Sequence, residues 1–230
     1  MKRIILILSL VAIVSLNCKA QAGKTNFGIK IGPSLCWANS VNTYGKGDGS
    51  QLGLSFGGFV DQYFTENVGV SIGLNFYLMQ MKYQFTDYRL VHNFLVEDDV
   101  LVNRRFKGTY LELPFMFKAK FSIADSWNLY GQAGAGLAVN LSARCKDSFD
   151  FYGIPFEDSE YTNHILEYRA LQASLHAGLG VEYELSSTLN LFVQLSYRHS
   201  FSNMFTKQMY DKTNSNLKAN HLALELGVLF

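Results

Sequence analysis

Serine and histidine residues that could support acyl-transfer chemistry occur close together at two places in the chain. His199 and Ser200 are adjacent, so on a strand they point to opposite faces. Ser174 and His176 are two residues apart and share a face, but the sequence shows no acid placed to orient the histidine. We therefore expect a hydrogen-bonding pair here. A lipid-modifying enzyme is kept as the alternative.

Two carboxylates at the same spacing, Glu182 and Glu184, could suggest paired acid and base groups. Ion pairing with Lys118, Lys120 or Arg198 explains them more simply, because these cations occupy the equivalent face of other alternating segments. No histidine pair has metal-ligand spacing, and the glycines near position 134 are not followed by a helix. The sequence therefore predicts no catalytic residue, no metal site and no cofactor.

Period-2 alternation, the pattern of a strand with two different faces, recurs along the chain. In residues 110–121, for example, Leu113, Phe115 and Phe117 share one face while Glu112 and Lys118 share the other. The alternating segments number eight, at residues 27–37, 52–61, 68–76, 110–121, 127–142, 171–184, 189–201 and 222–230. No segment after the N-terminal run is apolar for long enough to form a membrane-spanning helix. A membrane protein of this kind would have to be a β-barrel.

The connections between these segments alternate in length. Short links at 65–67, 122–126 and 186–188 alternate with long polar ones at 38–51, 84–105, 143–168 and 203–220. Short periplasmic turns and long outer loops are typical of bacterial membrane barrels. Residues 147–157 mix acids and aromatics, so we expect loops 84–105 and 143–168 to contact an extracellular or envelope partner.

The N-terminus has the features of a secretory signal peptide. Lys2 and Arg3 precede an apolar run at 4–16, and Cys18-Lys19-Ala20 resembles a cleavage site. We predict cleavage between Ala20 and Gln21, which gives a signal peptide at 1–20 and one domain at 21–230. A lipid anchor at Cys18 is the weaker alternative, because the residues before it fit a lipobox poorly.

The charge and the cysteines exclude some classes of protein. The chain has 20 Lys and Arg residues, and removing Lys2, Arg3 and Lys19 leaves 17 against 19 acids. No basic stripe indicates nucleic-acid binding. After cleavage, Cys36 and Cys145 remain, and we expect two separate thiols, with one bridge as the alternative.

The polar face carries charges of both signs, which favours a membrane barrel with its apolar face turned outward. We predict a lumenal charge network formed by Lys30, Glu112, Lys118, Lys120, Glu182, Glu184, Arg198 and Glu225. The interior of an eight-stranded barrel is just wide enough to be filled by side chains. We therefore expect a filled lumen, with a narrow small-solute channel as the alternative.

Aromatic residues lie near both ends of the predicted strands, as expected for the two interfaces of a bilayer. Phe27, Trp127 and Phe230 are examples at one end, and Trp37 and Phe106 lie toward the other. Two prolines do not fit the strands, because proline lacks the N–H that a ladder needs. We expect a bulge or bend at Pro33 and at Pro114.

The sequence resembles the PorT-like outer-membrane barrels of the Bacteroidetes. The most specific match is Tyr110-Leu-Glu-Leu-Pro-Phe-Met-Phe-Lys118, which is similar to the family's YLEIPLLLK strand. Other matches are Gly28–Gly32, Tyr130–Gly136, Ala177–Tyr183, Ser196–Arg198 and the terminal Phe230. The resemblance implies an outer-membrane barrel, and it leaves an accessory role in type IX protein secretion as an alternative.

The sequence thus predicts an all-β protein, an eight-stranded antiparallel up-and-down transmembrane β-barrel in the outer membrane of a Gram-negative bacterium. The expected partners are outer-membrane lipid and, during biogenesis, periplasmic chaperones and the barrel-assembly machinery. Phe230 ends an alternating strand and is the predicted assembly signal. The expected function is a non-enzymatic interaction or structural role at the cell surface.

Overall fold

Eight long strands make up most of the chain. The computed structural model describes residues 24–87, 90–91, 94–95, 100–151 and 153–230, so the predicted signal peptide and its cleavage site at Ala20 and Gln21 lie outside the described residues. The strands are β1 (Thr25–Ser40), β2 (Gln51–Tyr63), β3 (Val68–Asp87), β4 (Val100–Ala124), β5 (Trp127–Phe151), β6 (Leu171–Ser186), β7 (Leu189–Ser200) and β8 (Leu217–Leu229).

Each strand pairs with its sequence neighbours in antiparallel register, and β1 also pairs with β8. The sheet therefore closes on itself. At the base of this closure Phe27 and Phe230 exchange backbone hydrogen bonds of 3.0 and 2.7 Å. The predicted eight-stranded up-and-down barrel is confirmed.

Shorter elements lie at the end of the barrel opposite the short turns. They are the two-to-four-residue strands Gly45–Gly47, Leu90–Val91, Phe94–Leu95, Ile154–Glu157 and Thr162–Asn163, a 3-10 turn at Ile165–Glu167 and helix α1 at Lys207–Thr213. Among the described residues, no helix combines the length and the apolar character needed to cross a bilayer.

The lower part of the barrel turns apolar side chains outward. On β4 the outward residues from Leu111 to Phe121 are all apolar, and Phe117 is 62 % exposed. Eleven residues in a strand tilted by about 40° span roughly 26 Å of height. This matches the apolar band of about 25 Å expected of a membrane barrel, so we call this outward surface the lipid belt.

Above the lipid belt, the outward face of the long strands becomes polar and the inward face becomes apolar. On β3 the outward residues Ile72, Leu74 and Leu78 are apolar, but the next outward residues are Gln80 and Lys82. The inward residues change in the opposite sense, and become Met79, Met81, Tyr83 and Phe85. The barrel therefore continues beyond the membrane as a wall with an apolar interior, like that of a soluble protein.

This extension corrects the predicted boundaries of the long loops. Residues 84–87 and 100–105 of the predicted loop 84–105 are strand, and so are 143–151 of the predicted loop 143–168. Between them, 88–89, 92–93 and 96–99 lie outside the described residues. The prediction ended the strands too early because it followed an outward apolar face, which stops at the membrane surface.

Of the bulge or bend expected at each proline, the bulge does not occur. The β3–β4 register is the same on both sides of Pro114, from Ile72–Phe115 to Asn75–Glu112. The β1–β8 register is likewise unchanged across Pro33. The β4–β5 register shifts instead between Thr109 and Tyr110, near the top of the lipid belt, and between Ser122 and Ala124, near the base. Phe106 also differs from the prediction, because its ring points inward and is 1 % exposed.

Candidate functional site: the lumen and its extracellular closure

A buried ion triad lies in the lumen near the base of the barrel. Lys118 Nζ is 2.6 Å from Asp61 Oδ2 and 2.6 Å from Glu182 Oε1, and all three side chains are almost fully buried. Lys120 lies 3.8 Å from the other oxygen of Glu182 and is more exposed. Because β2, β4 and β6 each supply one member, the triad links three strands across the lumen.

A second cluster surrounds the carboxylate of Glu112. Its Oε1 accepts hydrogen bonds from Arg198 Nε at 2.9 Å and Ser174 Oγ at 2.5 Å, and lies 3.1 Å from His176 Nε2. Ser174 therefore does lie beside a histidine and an acid. In a catalytic triad the acid holds the ring nitrogen that the serine does not use, whereas here both contact Nε2. The geometry is that of a hydrogen-bonded ion cluster.

The third lumenal pair joins β1 and β8. Lys30 Nζ is 3.0 Å from Glu225 Oε2, and Ser55 and Gln194 donate hydrogen bonds to the same carboxylate. Glu184 lies apart from this network, although the sequence placed it there. Its side chain is exposed at the base, two residues before the end of β6, and accepts a hydrogen bond from Asn128.

A small polar cavity separates these clusters. Its volume is about 30 Å³ and its lining includes Lys30, Arg198 and His221. Both Nη groups of Arg198 are buried without a hydrogen-bond partner among the described residues. The cavity has room for about two water molecules, which can satisfy these donors but leave no space for a larger solute.

Glycine provides the space for the lumenal clusters at two positions. A Cβ on Gly136 would lie 2.8 Å from Glu112 Oε1 and 2.9 Å from His176 Nε2. A Cβ on Gly180 would lie 2.4 Å from the ring of Tyr130, whose hydroxyl donates to Gln194. A larger residue at either position would displace a buried polar group.

An apolar plug fills the lumen above the ion clusters. Phe205 lies at its centre, fully buried, with its ring 5.8 Å from Tyr83, 6.1 Å from Phe85 and 5.6 Å from Tyr168. The other buried members are Cys36, Ala38, Tyr77, Met79, Met81, Val102, Phe106, Tyr110, Ala138, Ala143, Cys145, Met204, Met209, Leu217 and Ala219. Aromatic and sulfur-containing side chains thus close the barrel on the side opposite the short turns.

The segment that carries Phe205 is held from two sides. Met204 N donates to Leu217 O at 2.8 Å, and Thr206 N donates to Glu167 O at 2.9 Å. Arg169 N in turn donates to Met204 O at 2.9 Å. These backbone bonds tie the plug segment to both β8 and the 3-10 turn.

A buried arginine joins the plug to the extracellular wall. Arg104 contacts both oxygens of Asp147 at 2.6 and 2.7 Å, reaches Glu167, and lies 4.9 Å from the ring of Phe85. Burial favours a higher pKa for Glu167, but hydrogen bonds from His164 and Arg104 outweigh it and lower its pKa to about 2. Glu167 therefore stays ionised at neutral pH and balances the arginine.

The two cysteines are free and buried, which confirms the prediction of separate thiols. Burial raises the pKa of the Cys145 thiol to about 12, despite the opposing effect of Arg104. Because the thiolate is the reactive form, this side chain is chemically inert at neutral pH. Among the described residues, no group of three His, Cys, Asp or Glu side chains could hold a metal ion.

The eight-stranded closed sheet, the lipid belt and the charged lumen define an integral β-barrel membrane protein. The chain belongs to the family of the outer membrane protein β-barrel domain, which it matches over residues 19–206. The protein is therefore located in the outer membrane. No curated protein sequence matches the chain.

Several solved structures are similar to the chain. Neisserial surface protein A shares 13 % identity, covers 88 % of this chain and 95 % of its own, and has a TM-score of 0.46. The outer membrane protein OprG from Pseudomonas aeruginosa shares 11 % identity over 90 % of this chain and 97 % of its own, with a TM-score of 0.41. The attachment invasion locus protein Ail of Yersinia pestis, in complex with sucrose octasulfate, shares 18 % identity over 90 % and 99 %, with a TM-score of 0.37.

Proposed function

We propose that the protein is a closed, non-enzymatic outer-membrane barrel whose extracellular rim binds a partner at the cell surface. The observation that carries this proposal is the apolar plug around Phe205, which fills the outer lumen with buried side chains. Below the plug, the ion clusters fill most of the remaining space around a cavity of about 30 Å³. A filled barrel acts through its surface rather than by conducting solutes.

The rim exposes apolar side chains above the lipid belt. Leu166 in the 3-10 turn is 88 % exposed, and Ile154 in the strand Ile154–Glu157 is 59 % exposed. Tyr44 and Val41, in the connection after β1, are more than half exposed. Apolar residues at a polar rim are suited to contact with another protein.

Photo-cross-linking from the rim tests this proposal. A photoreactive amino acid at Leu166 or Ile154 should yield the same cross-linked product, whereas one at Glu66, in an exposed short turn, should not. If neither rim position yields a product, or Glu66 yields the same one, the surface role is wrong. In a planar bilayer the purified protein should show no sustained conductance. Stable, solute-selective conductance would favour the channel instead.

Within the family, the proposal places the chain with the PorT-like barrels, on the strength of the sequence Tyr110–Lys118. An accessory role in type IX protein secretion would be one form of the surface role. In that case, the product cross-linked through Leu166 would contain a component of the secretion apparatus. A host or matrix protein in the same product would exclude it.

The proposed route to the membrane starts with export by residues 1–20 and cleavage between Ala20 and Gln21. The basic start and the apolar run at 4–16 support it. The intact mass of the protein purified from outer membranes should correspond to residues 21–230. Phe230, exposed at the base of the barrel, is the proposed signal for the barrel-assembly machinery. Deleting it should lower the yield of heat-modifiable barrel.

A further inference from the structure

A cluster of cations lies on the outward face of the barrel wall, just above the lipid belt. The cluster, which we call the basic patch, comprises Lys82 on β3, Arg105 and Lys107 on β4, and Arg144 and Lys146 on β5. Arg105, Lys107 and Arg144 are exposed, and the other two are half-buried. These three strands are also the longest of the barrel, with 20, 25 and 25 residues.

The strand register brings these like charges into direct opposition. Lys82 lies opposite Arg105, Arg105 lies opposite Lys146, and Lys107 lies opposite Arg144. Like charges directly across a strand pair destabilise a sheet. Three such pairs side by side indicate that a negatively charged ligand neutralises this surface.

Internal neutralisation of the patch is small. Lys146 pairs with Glu157 at 2.9 Å, and Lys107 lies 4.2 Å from the ring of Tyr161. Within the described part of the chain, Lys82, Arg105 and Arg144 have no acidic partner within 4 Å. The pKa of the exposed Glu157 is lowered, first by its hydrogen bond to Lys146 and then by the charges of Lys146 and Arg105. This is expected beside an excess of positive charge.

The lowest cations of the patch lie just above the headgroup layer of a bilayer, within reach of it. Lys107 is four residues above Leu111, the last residue of the lipid belt on β4, and Arg144 is three above Leu141. In tilted strands these steps correspond to roughly 8–10 Å of height, and the headgroup layer is about 5–7 Å thick. Long Lys and Arg side chains extend toward such a layer while their stems cover apolar surface.

The opposite side of the barrel differs at this height. There, the outward residues near the ends of β1 and β7 are Trp37, Tyr197 and His199, and the rings of Trp37 and Tyr197 are stacked at 6.2 Å. Aromatic residues suit the interface without selecting a charge. The outward cations at this height are therefore concentrated on β3, β4 and β5, against the single Lys218 of β8 on the other side, and do not form a general belt.

We propose that the basic patch binds phosphate groups of anionic glycolipid headgroups in the outer leaflet that surrounds the barrel. Guanidinium groups bind phosphate oxygens in pairs, and ammonium groups bind them as compact charges. The patch would hold a lipid against the tall side of the wall formed by β3, β4 and β5. This binding is independent of the partner proposed for the rim.

Retention of lipid A in mixed micelles tests the proposal. Full-length protein would be incubated with bisphosphorylated lipid A or with the same lipid freed of phosphate, and bound lipid would be counted by native mass spectrometry. The test variant is Arg105→Gln/Lys107→Gln/Arg144→Gln. The matched control removes three cations elsewhere, Lys24→Gln/Lys207→Gln/Lys218→Gln.

The wild type should bind the phosphorylated lipid about 10- to 100-fold more tightly than the dephosphorylated one, and added salt should weaken that binding. The patch variant should lose this preference and the control should keep it. Equal binding of the two lipids by the wild type would overturn the proposal even if the variant fails to fold. An equal loss in the control would also overturn it.

Discussion

At the scale of single residues, two buried cations each satisfy more than one acid. Lys118 bridges Asp61 and Glu182, and Arg104 bridges Asp147 and Glu167. A buried ion pair contributes little net stability when intact, but removing one partner leaves an uncompensated charge. The bridging cation is therefore the sensitive member of these two clusters.

Replacing Lys118 tests this directly. Lys118→Met should lower the free energy of unfolding by about 3–5 kcal/mol, because two carboxylates remain buried without a cation. Lys120→Met is the matched control, since Lys120 is 3.8 Å from Glu182 and partly exposed, and it should cost less than about 1 kcal/mol. Urea unfolding in lipid vesicles, followed by tryptophan fluorescence, measures both. Equal losses would contradict the assignment of Lys118 as the bridging group.

Glu167 should make the extracellular cluster sensitive to acid. Its pKa in the folded protein is about 2, below the ordinary value of 4.5. Its contribution to stability is therefore complete above about pH 4.5 and is lost as the pH falls toward 2. The difference in unfolding free energy between wild type and Glu167→Gln should shrink over this range. A difference that is constant with pH would mean that Glu167 does not stabilise the cluster through its charge.

The sequence allowed some of the buried ion-pair residues to be predicted and not others. Lys118, Glu182, Arg198 and Glu112 were recognised because they interrupt an apolar alternation, and the structure brings them into ion pairs. Arg104 and Asp147 were missed because they lie in segments that looked like polar loops. Their pairing depends on the β4–β5 register, which places Arg104 opposite Asp147.

At the scale of the strand, the reversal of the two faces marks where the membrane ends. The sequence from Met79 to Asp87 alternates as regularly as the segment before it, but the apolar residues move from the even to the odd positions. The outward apolar face that predicts a strand from the sequence ends at the upper edge of the lipid belt. Following the alternation through the change of phase would have predicted the full length of β3.

Arginine substitutions on β3 should distinguish the two regions. Leu74→Arg places a charge near the middle of the lipid belt and should cost about 2–4 kcal/mol of unfolding free energy. Gln80→Arg is also outward but lies above the belt and faces Lys107, so it should cost less than about 1 kcal/mol. Urea titration in vesicles provides both values. A large loss for Gln80→Arg would place this residue in the hydrocarbon layer.

The plug segment, residues 203–206, should contribute to the free energy of unfolding as strongly as the core of a soluble domain does. Phe205→Ala removes a fully buried ring that contacts three other rings, and should cost about 3–5 kcal/mol. Phe201, four residues earlier and 47 % exposed, is the control, and Phe201→Ala should cost far less. Hydrogen exchange of the amides of residues 203–206 would show whether the loss is local. Unchanged protection there, together with unchanged stability, would exclude the plug.

At the scale of the whole molecule, the single barrel has a lower and an upper half in which the apolar side chains face opposite ways. The lower half is inverted, with lipid outside and ions inside, while the upper half has an apolar interior and a polar exterior. The upper half extends furthest on β3, β4 and β5, where the basic patch also lies. The sequence predicted the strand number, the connectivity and the lumenal charges. It did not predict the plug, because Phe205 precedes a seven-residue helix in a segment with no strand pattern.

Spin labels along β3 test the change of phase and the closed lumen in one experiment. Single cysteines from Val70 to Thr86, in a Cys36→Ala/Cys145→Ala background, would be labelled in lipid vesicles and probed with oxygen and a water-soluble nickel chelate. We predict oxygen access at the even positions up to Leu78, nickel access at the even positions from Gln80 onward, and little access to either at the odd positions. Nickel access at odd positions such as Met79 and Tyr83 would show an open lumen. Oxygen access without nickel access at Gln80 and Lys82 would place this part of the wall inside the membrane, and either result would contradict the structure described.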